Sequence, residues 1–402
     1  MLTSDKIKNI FTDTIWSMAG LVLMNVAAQF VVYPFWRSTL GSETYGNIVY
    51  QLAILNILAV SVGSGINYTR MKQSAERETG NRPYLIMMLA GMVLSTLVLI
   101  FLYAIGLVQS SIRDFCLFCV LTVVTMWRYY ADVEYRLRIN YKGFFFFYLV
   151  IGIGYLLGIW LFKLTGIWPL ALLPGECAGL LVVLLRGSIF KADGVRGNQK
   201  MGPIIHIAAI LIGTNVISYL IFNGDRIILQ LFAGSTVVTI YYIASLFGKT
   251  MTFISTPLNG VLIGHLAKYD GKLTRELMNQ VTTASLAGIL VMIVVCQIAS
   301  VIILPFLYPS DYQDVKSYLL LANAAQIIYF TGNILTTSVL LRFTSAANQM
   351  IVNVVHGALF VFFCIPVVMK FGIEGFCWGL LAANTVRVII CLVIGYKNTM
   401  TP

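Results

Sequence analysis

Apolar residues in this chain come in long runs separated by short polar gaps. Crossing a bilayer core takes about 20 apolar residues in a helix. Runs of that length fall at roughly 14–36, 46–68, 84–108, 112–130, 143–162, 167–185, 204–224, 236–263, 280–307, 318–340, 350–369 and 375–396. Lipid offers no partner to a free backbone N–H or C=O, so such runs close their hydrogen bonds as helices or as a closed barrel. Barrel strands need only about ten residues each, which excludes the barrel. The pattern predicts an all-α polytopic membrane protein of 12 transmembrane helices.

Charge orders these helices. Nineteen of the 27 Lys and Arg lie in every second gap: the N-terminus, 69–83, 128–142, 186–203, 265–279, 341–349 and the C-terminus. The alternate gaps hold Arg37, Arg113, Lys163, Arg226, Lys316 and Lys370. By the positive-inside rule both termini are cytoplasmic. The first run, which follows Lys6 and Lys8 and carries Asn25 and Gln29, is expected to stay as a helix rather than leave as a signal peptide.

Composition agrees, with 59% apolar residues, 11% charged residues and a mean hydropathy of +0.86. The net charge of +11 sits in short gaps where topology and anionic headgroups account for it, so no nucleic-acid partner is expected. The seven cysteines, including the Cys116/Cys119 pair, lie within apolar runs and read as small hydrophobes. Gly248-Lys249-Thr250 ends like a P-loop, but Ile243 stands where its first glycine belongs. Three isolated histidines do not give metal-ligand spacing. No cofactor, metal or catalytic set is expected, and the chain reads as a transporter rather than an enzyme.

The gap from Arg186 to Pro203, rich in glycine, divides the chain into expected halves of six spans: 1–190, a cytoplasmic linker 191–203, and 204–402. Both halves start in the cytoplasm, as parallel repeats would. Gly175-Glu-Cys-Ala-Gly179 and Gly375-Phe-Cys-Trp-Gly379 echo one another at an offset of 200. These pairs, with Gly154 and Gly158, permit close helix contact.

An ionisable group at hydrocarbon depth costs at least ~2.5 kcal/mol and so faces a cavity or a partner. Six charged residues meet this description or stand at its edge. Lys249, Arg387, Arg37 and Arg226 form the expected cationic, substrate-binding set, and Glu176 and Asp225 are the candidate ion-coupling acids. His356 reads as an interhelical hydrogen-bonder. Cations in a low-dielectric enclosure attract phosphate, Arg bidentately and Lys as a point charge.

Three segments carry a family likeness. Arg37-x-x-Leu40-Gly41 with Tyr45-Gly46, Arg136-Leu-Arg-Ile-Asn140, and Asp225-Arg226-Ile-Ile-Leu229 followed by Tyr241-Tyr-Ile-Ala244 resemble motifs of the polysaccharide exporter, or Wzx-type O-antigen flippase, family. That family belongs to the multidrug/oligosaccharidyl-lipid/polysaccharide (MOP) superfamily. The resemblance implies two pseudo-symmetric six-helix bundles of MATE-like fold in a bacterial inner membrane. It further implies alternating-access transport of undecaprenyl-diphosphate-linked oligosaccharide to the outer leaflet, for O-antigen, capsule or exopolysaccharide. A proton or sodium ion, a glycan polymerase and a chain-length regulator are the implied partners. Alternatives are a cation-coupled drug or small-solute antiporter of the same superfamily, or an integral-membrane glycan polymerase or acyltransferase.

Overall fold

The computed structural model describes residues 4–76, 80–191, 201–253, 273–344 and 346–399. Among these the backbone is almost entirely helical, with no strand. Among the described residues, nine helices are long and apolar enough to cross a membrane, with shorter ones between them. In chain order they are α1 (Thr12–Leu40), α2 (Ser42–Ser74), α3 (Arg82–Ala104), α4 (Ile112–Leu137), α5 (Tyr141–Thr165) and the shorter α6 (Leu173–Arg186). Then come α7 (Met201–Phe232), the short α8 (Ser235–Ala244) and α9 (Leu246–Thr250), α10 (Arg275–Leu307), α11 (Leu319–Thr337) and α12 (Asn348–Lys397).

Each apolar run falls on one or more of these helices, so the chain is a polytopic, all-α membrane protein. Pro257 and the rest of the eighth run past residue 253, His265, and most of the gap between the expected halves lie outside the described residues. Straight, the 50 residues of α12 would reach about 75 Å, more than twice a hydrocarbon core. Gly372, with φ 59° and ψ −140°, breaks it between the eleventh and twelfth runs.

Local signals set the helix ends. Ser111 accepts from the Asp114 N–H at 3.1 Å to cap α4, and Asn140 accepts from the Gly143 N–H at 2.9 Å to cap α5. Gly166 ends α5 in the left-handed region, at φ 71°.

The chain forms two compact units: residues 1–40 with 50–225, and residues 41–49 with 226–402. In the first unit, α7 lies against α2: the Asn215 amide reaches the Ser61 carbonyl at 3.4 Å, and Gly65 stands against Ile212. In the second, the start of α2 lies on α8. Thr239 donates to the Ser42 carbonyl at 2.6 Å, and a Cβ on Gly46 would overlap the Ser235 carbonyl. Tyr45 is fully buried there, its hydroxyl 3.1 Å from that of Tyr308. The Tyr45-Gly46 segment is thus a packing joint of the second unit.

Two features depart from the hydropathy pattern. Arg128, counted with the cations of the 128–142 gap, lies buried inside α4, which runs on to Leu137. Three stretches, Ala27–Val32, Asn56–Val60 and Leu335–Leu340, are π-helical. An extra residue in one turn leaves hydropathy unchanged, so nothing in the sequence marks them.

Candidate functional site

The first unit places Arg37, Glu176 and Asp225. Arg37 lies half-buried near the end of α1, and Asp225 is buried near the end of α7. Glu176 is set by the entry to α6: a 3-10 turn at Trp168–Ala171 precedes the helix, and Pro174 occupies its first turn. This leaves Glu176 at the positive end of the helix dipole, where a carboxylate is favoured.

Arg128 meets it there. Nε lies 2.7 Å from Oε2 and Nη2 lies 3.0 Å from Oε1, a two-pronged pair whose side chains are each 3% exposed. The Tyr155 hydroxyl also donates to Glu176, and the guanidinium lies 3.8 Å from the ring centroid of Tyr129. Glu176, expected as an ion-coupling acid, is therefore one half of a buried ion pair. Sequence reasoning misses Arg128 because the fourth apolar run ends only two residues beyond it, where a cation reads as part of the gap. The available signal is Glu176 itself, since an acid at that depth calls for a partner.

A second polar cluster ties the end of α4 to its neighbours. Asp132 accepts from Arg136 at 3.0 and 3.2 Å, from the Tyr148 hydroxyl at 3.0 Å and from Asn67. Glu134 pairs with Arg138 at 2.6 Å and accepts the Ser188 and Ile189 N–H groups just past α6. The Arg136-to-Asn140 motif therefore supplies two ion pairs and the cap of α5.

The second unit places Arg226, Lys249 and Arg387. The Arg226 guanidinium lies 5.1 Å from the ring centroid of Tyr242. Lys249, 6% exposed, sits on α9, which is pinned to α11 where Asn323 accepts from the Gly248 N–H at 2.7 Å. Asn323 also donates to Ser300 at 3.0 Å, and Gln326 to the Tyr241 hydroxyl at 2.8 Å. Arg387, 3% exposed, lies against α11 beside Gly332. Its Nη2 donates to Asn353 Oδ1 at 3.1 Å and more weakly to Thr336 at 3.4 Å, and Tyr329 presents its ring 5.6 Å away. Gly248, beside Lys249, and Arg387 thus meet α11 at Asn323 and Gly332, nine residues or about 13.5 Å apart along its axis.

His356 Nε2 lies 2.8 Å from Asn384 Oδ1, joining the two parts of α12 as the interhelical bond expected of it. Asn384 also donates to the Ala325 carbonyl at 2.8 Å. Asn384→Ala strips two buried partners at once, at a cost of about 1–3 kcal/mol. Thermal unfolding in detergent is expected to show a lower midpoint for this variant, and an unchanged midpoint would refute the importance of the bridge.

No protein-family model matches the chain, and no curated protein matches its sequence. Solved structures match its fold. One is an outward-facing conformation of a multidrug resistance MATE family transporter of the MOP superfamily, at 15% identity and TM-score 0.66, covering 97% of this chain and 95% of that one. A second is an inward-facing conformation of such a transporter, at 13% identity and TM-score 0.69, covering 95% and 97%. A third is a Vibrio cholerae MATE transporter in the bent form, at 14% identity and TM-score 0.61, covering 98% of each. Over nearly its whole length, the chain has the fold of MATE family transporters of the MOP superfamily.

Proposed function

We propose that this chain is an alternating-access transporter of a bacterial cytoplasmic membrane whose cargo is anionic: a polyprenyl-diphosphate-linked oligosaccharide carried to the outer leaflet. Twelve helices, six in each half, with both termini in the cytoplasm, complete the proposal. The observation that carries it is the burial of two cations in the second unit. Glu176 is already neutralised by Arg128, while Lys249 and Arg387 lie buried in the second unit. Cations in low dielectric favour a phosphorylated headgroup, and a protein-lined path spares the sugar hydroxyls a bare hydrocarbon crossing that costs several kcal/mol for each unsatisfied group. In this reading the candidates for holding the diphosphate are Arg226, Lys249 and Arg387 in the second unit and, separately, Arg37 in the first. Asp225 is the remaining candidate for binding a proton or sodium ion, and a glycan polymerase and chain-length regulator take up the product.

A second reading is a cation-coupled drug or small-solute antiporter. The solved structures of like fold, described as multidrug resistance transporters, speak for it more directly than for the first.

Deleting the gene in its own host separates the two. The first reading expects lipid-linked repeat units to accumulate on the cytoplasmic leaflet and surface glycan to fall several-fold. The second expects unchanged glycan with increased sensitivity to cationic drugs. Surface glycan at wild-type level, in a strain without a redundant exporter, would sink the first reading.

A further inference from the structure

A guanidinium buried in a helix bundle is costly unless a counter-charge or full hydrogen bonding accompanies it. Arg128 has the counter-charge. Arg387 has neither among the described residues: no carboxylate pairs with it, only Nη2 reaches acceptors, and Nε and Nη1 reach none. Its side-chain neighbours are Thr336, Asn353, Tyr329 and Cys391, with His356 bonded to Asn384 close by. None of these is an acid.

The surroundings favour a ligand rather than a packing defect. Thr336 belongs to the π-helical stretch Leu335–Leu340, a local geometry that recurs at functional sites. Gly332 faces Arg387, where a Cβ would come within 3.3 Å of Cδ. Asn353 gives its oxygen to Arg387, keeps its amide N–H groups to donate, and is only half-buried, so the cluster opens on its side.

We propose that Arg387 and Asn353, braced by Thr336, form a binding site in the second unit for a compact oxyanion, of which a phosphoryl or diphosphoryl group is the matching class. Guanidinium N–H groups suit such oxygens best among common anions. The inference rests on the transport reading only for the source of the oxyanion. That reading supplies it as the diphosphate of a lipid-linked glycan; otherwise it is free phosphate or pyrophosphate.

The test uses the full chain in phosphatidylcholine nanodiscs, titrated at constant ionic strength with pyrophosphate and with farnesyl diphosphate, and with farnesol as control. Saturable binding of pyrophosphate is expected. Its Kd rises about tenfold or more in Arg387→Gln, and by a smaller factor in Arg387→Lys and Asn353→Ala. Farnesyl diphosphate binding tenfold or more tighter than pyrophosphate, again through Arg387, assigns the site to a lipid headgroup; equal affinities assign it to a free anion. Either result supports the site. Unchanged affinity in Arg387→Gln and Asn353→Ala, or no saturation by either probe, overturns it. Arg387→Lys and Asn353→Ala keep the test readable if Arg387→Gln does not fold. Binding that depends on Arg387 in a chain that moves no glycan would sink the transport reading and leave the site standing. Glycan transport with binding indifferent to Arg387 would do the reverse.

Discussion

Replacing Arg128 with alanine is expected to cost the folded protein about 3–5 kcal/mol, a large fraction of the stability of most domains. The loss does not measure what the ion pair is worth. It arises because Glu176, 3% exposed and fixed in the first turn of α6, would be left as an uncompensated buried charge with only the Tyr155 hydroxyl to soften it. Helix α6 cannot withdraw it, since Gly175 beside it is pressed against Ile151 and Tyr155 of α5. Three variants separate the contributions. Arg128→Ala should show the greatest drop in unfolding midpoint and in yield of monodisperse protein. Glu176→Gln should lose less, because the amide oxygen still accepts from Arg128 or Tyr155. Arg128→Met with Glu176→Met should recover most of the stability, since a buried pair replaced by apolar groups of similar volume is often neutral or stabilising. If the double variant is as unstable as Arg128→Ala, charge imbalance is not the cause. The same set bears on coupling: cation dependence that survives in the Met/Met protein would exclude Glu176 as the coupling acid.

Much of this fold is legible in the sequence because lipid is a strict solvent. Every run long enough to span has to be helical, and the alternation of Lys and Arg between gaps can be counted directly along the chain. Gly154 and Gly158 announce a close helix contact, and His356 an interhelical bond; both are present. Buried polar pairing is harder to read. Arg128 and Glu176 are 48 residues apart on different helices, and hydropathy near Arg128 resembles that of a helix end. The seam between the units is also hidden. It depends on which neighbour each part of α2 packs against, Ser235 for Gly46 and Ile212 for Gly65, and no composition step marks the change. Of the six charged site candidates, sequence alone says that burial is expensive. It does not say that Glu176 has an arginine beside it while Arg387 has only neutral neighbours among the described residues. That difference comes from side-chain geometry and underlies the assignment of the oxyanion site.

Gly158→Val is expected to be nearly as damaging as Arg128→Ala, for a steric reason. Helix α5 meets α6, and the 3-10 turn that leads into it, backbone against backbone. A Cβ on Gly154 would stand 2.7 Å from the Gly175 nitrogen, and one on Gly158 would stand 2.7 Å from the Ala171 carbonyl carbon. These neighbours are main chain, not flexible side-chain tips, so a methyl group is accommodated only by moving α6 or its entry turn off α5. Overpacking of this kind costs about 1–3 kcal/mol for a methyl group and more for a larger side chain. Separation also has an electrostatic consequence. Tyr155, next to Gly154 on α5, donates to Glu176 on α6, so parting the helices weakens the set of partners that holds Glu176 beside Arg128. The expected order of unfolding midpoints is therefore wild type, then Gly154→Ala and Gly158→Ala, then Gly158→Val lowest. Gly213→Ala is the control: its Cβ would meet nothing within 4 Å on α7, and replacing a mid-helix glycine there should be neutral or stabilising by about 0.5–1 kcal/mol. Should Gly158→Val and Gly213→Ala unfold at the same midpoint, the close contact does not hold α5 to α6, and the positioning of Glu176 must come from elsewhere.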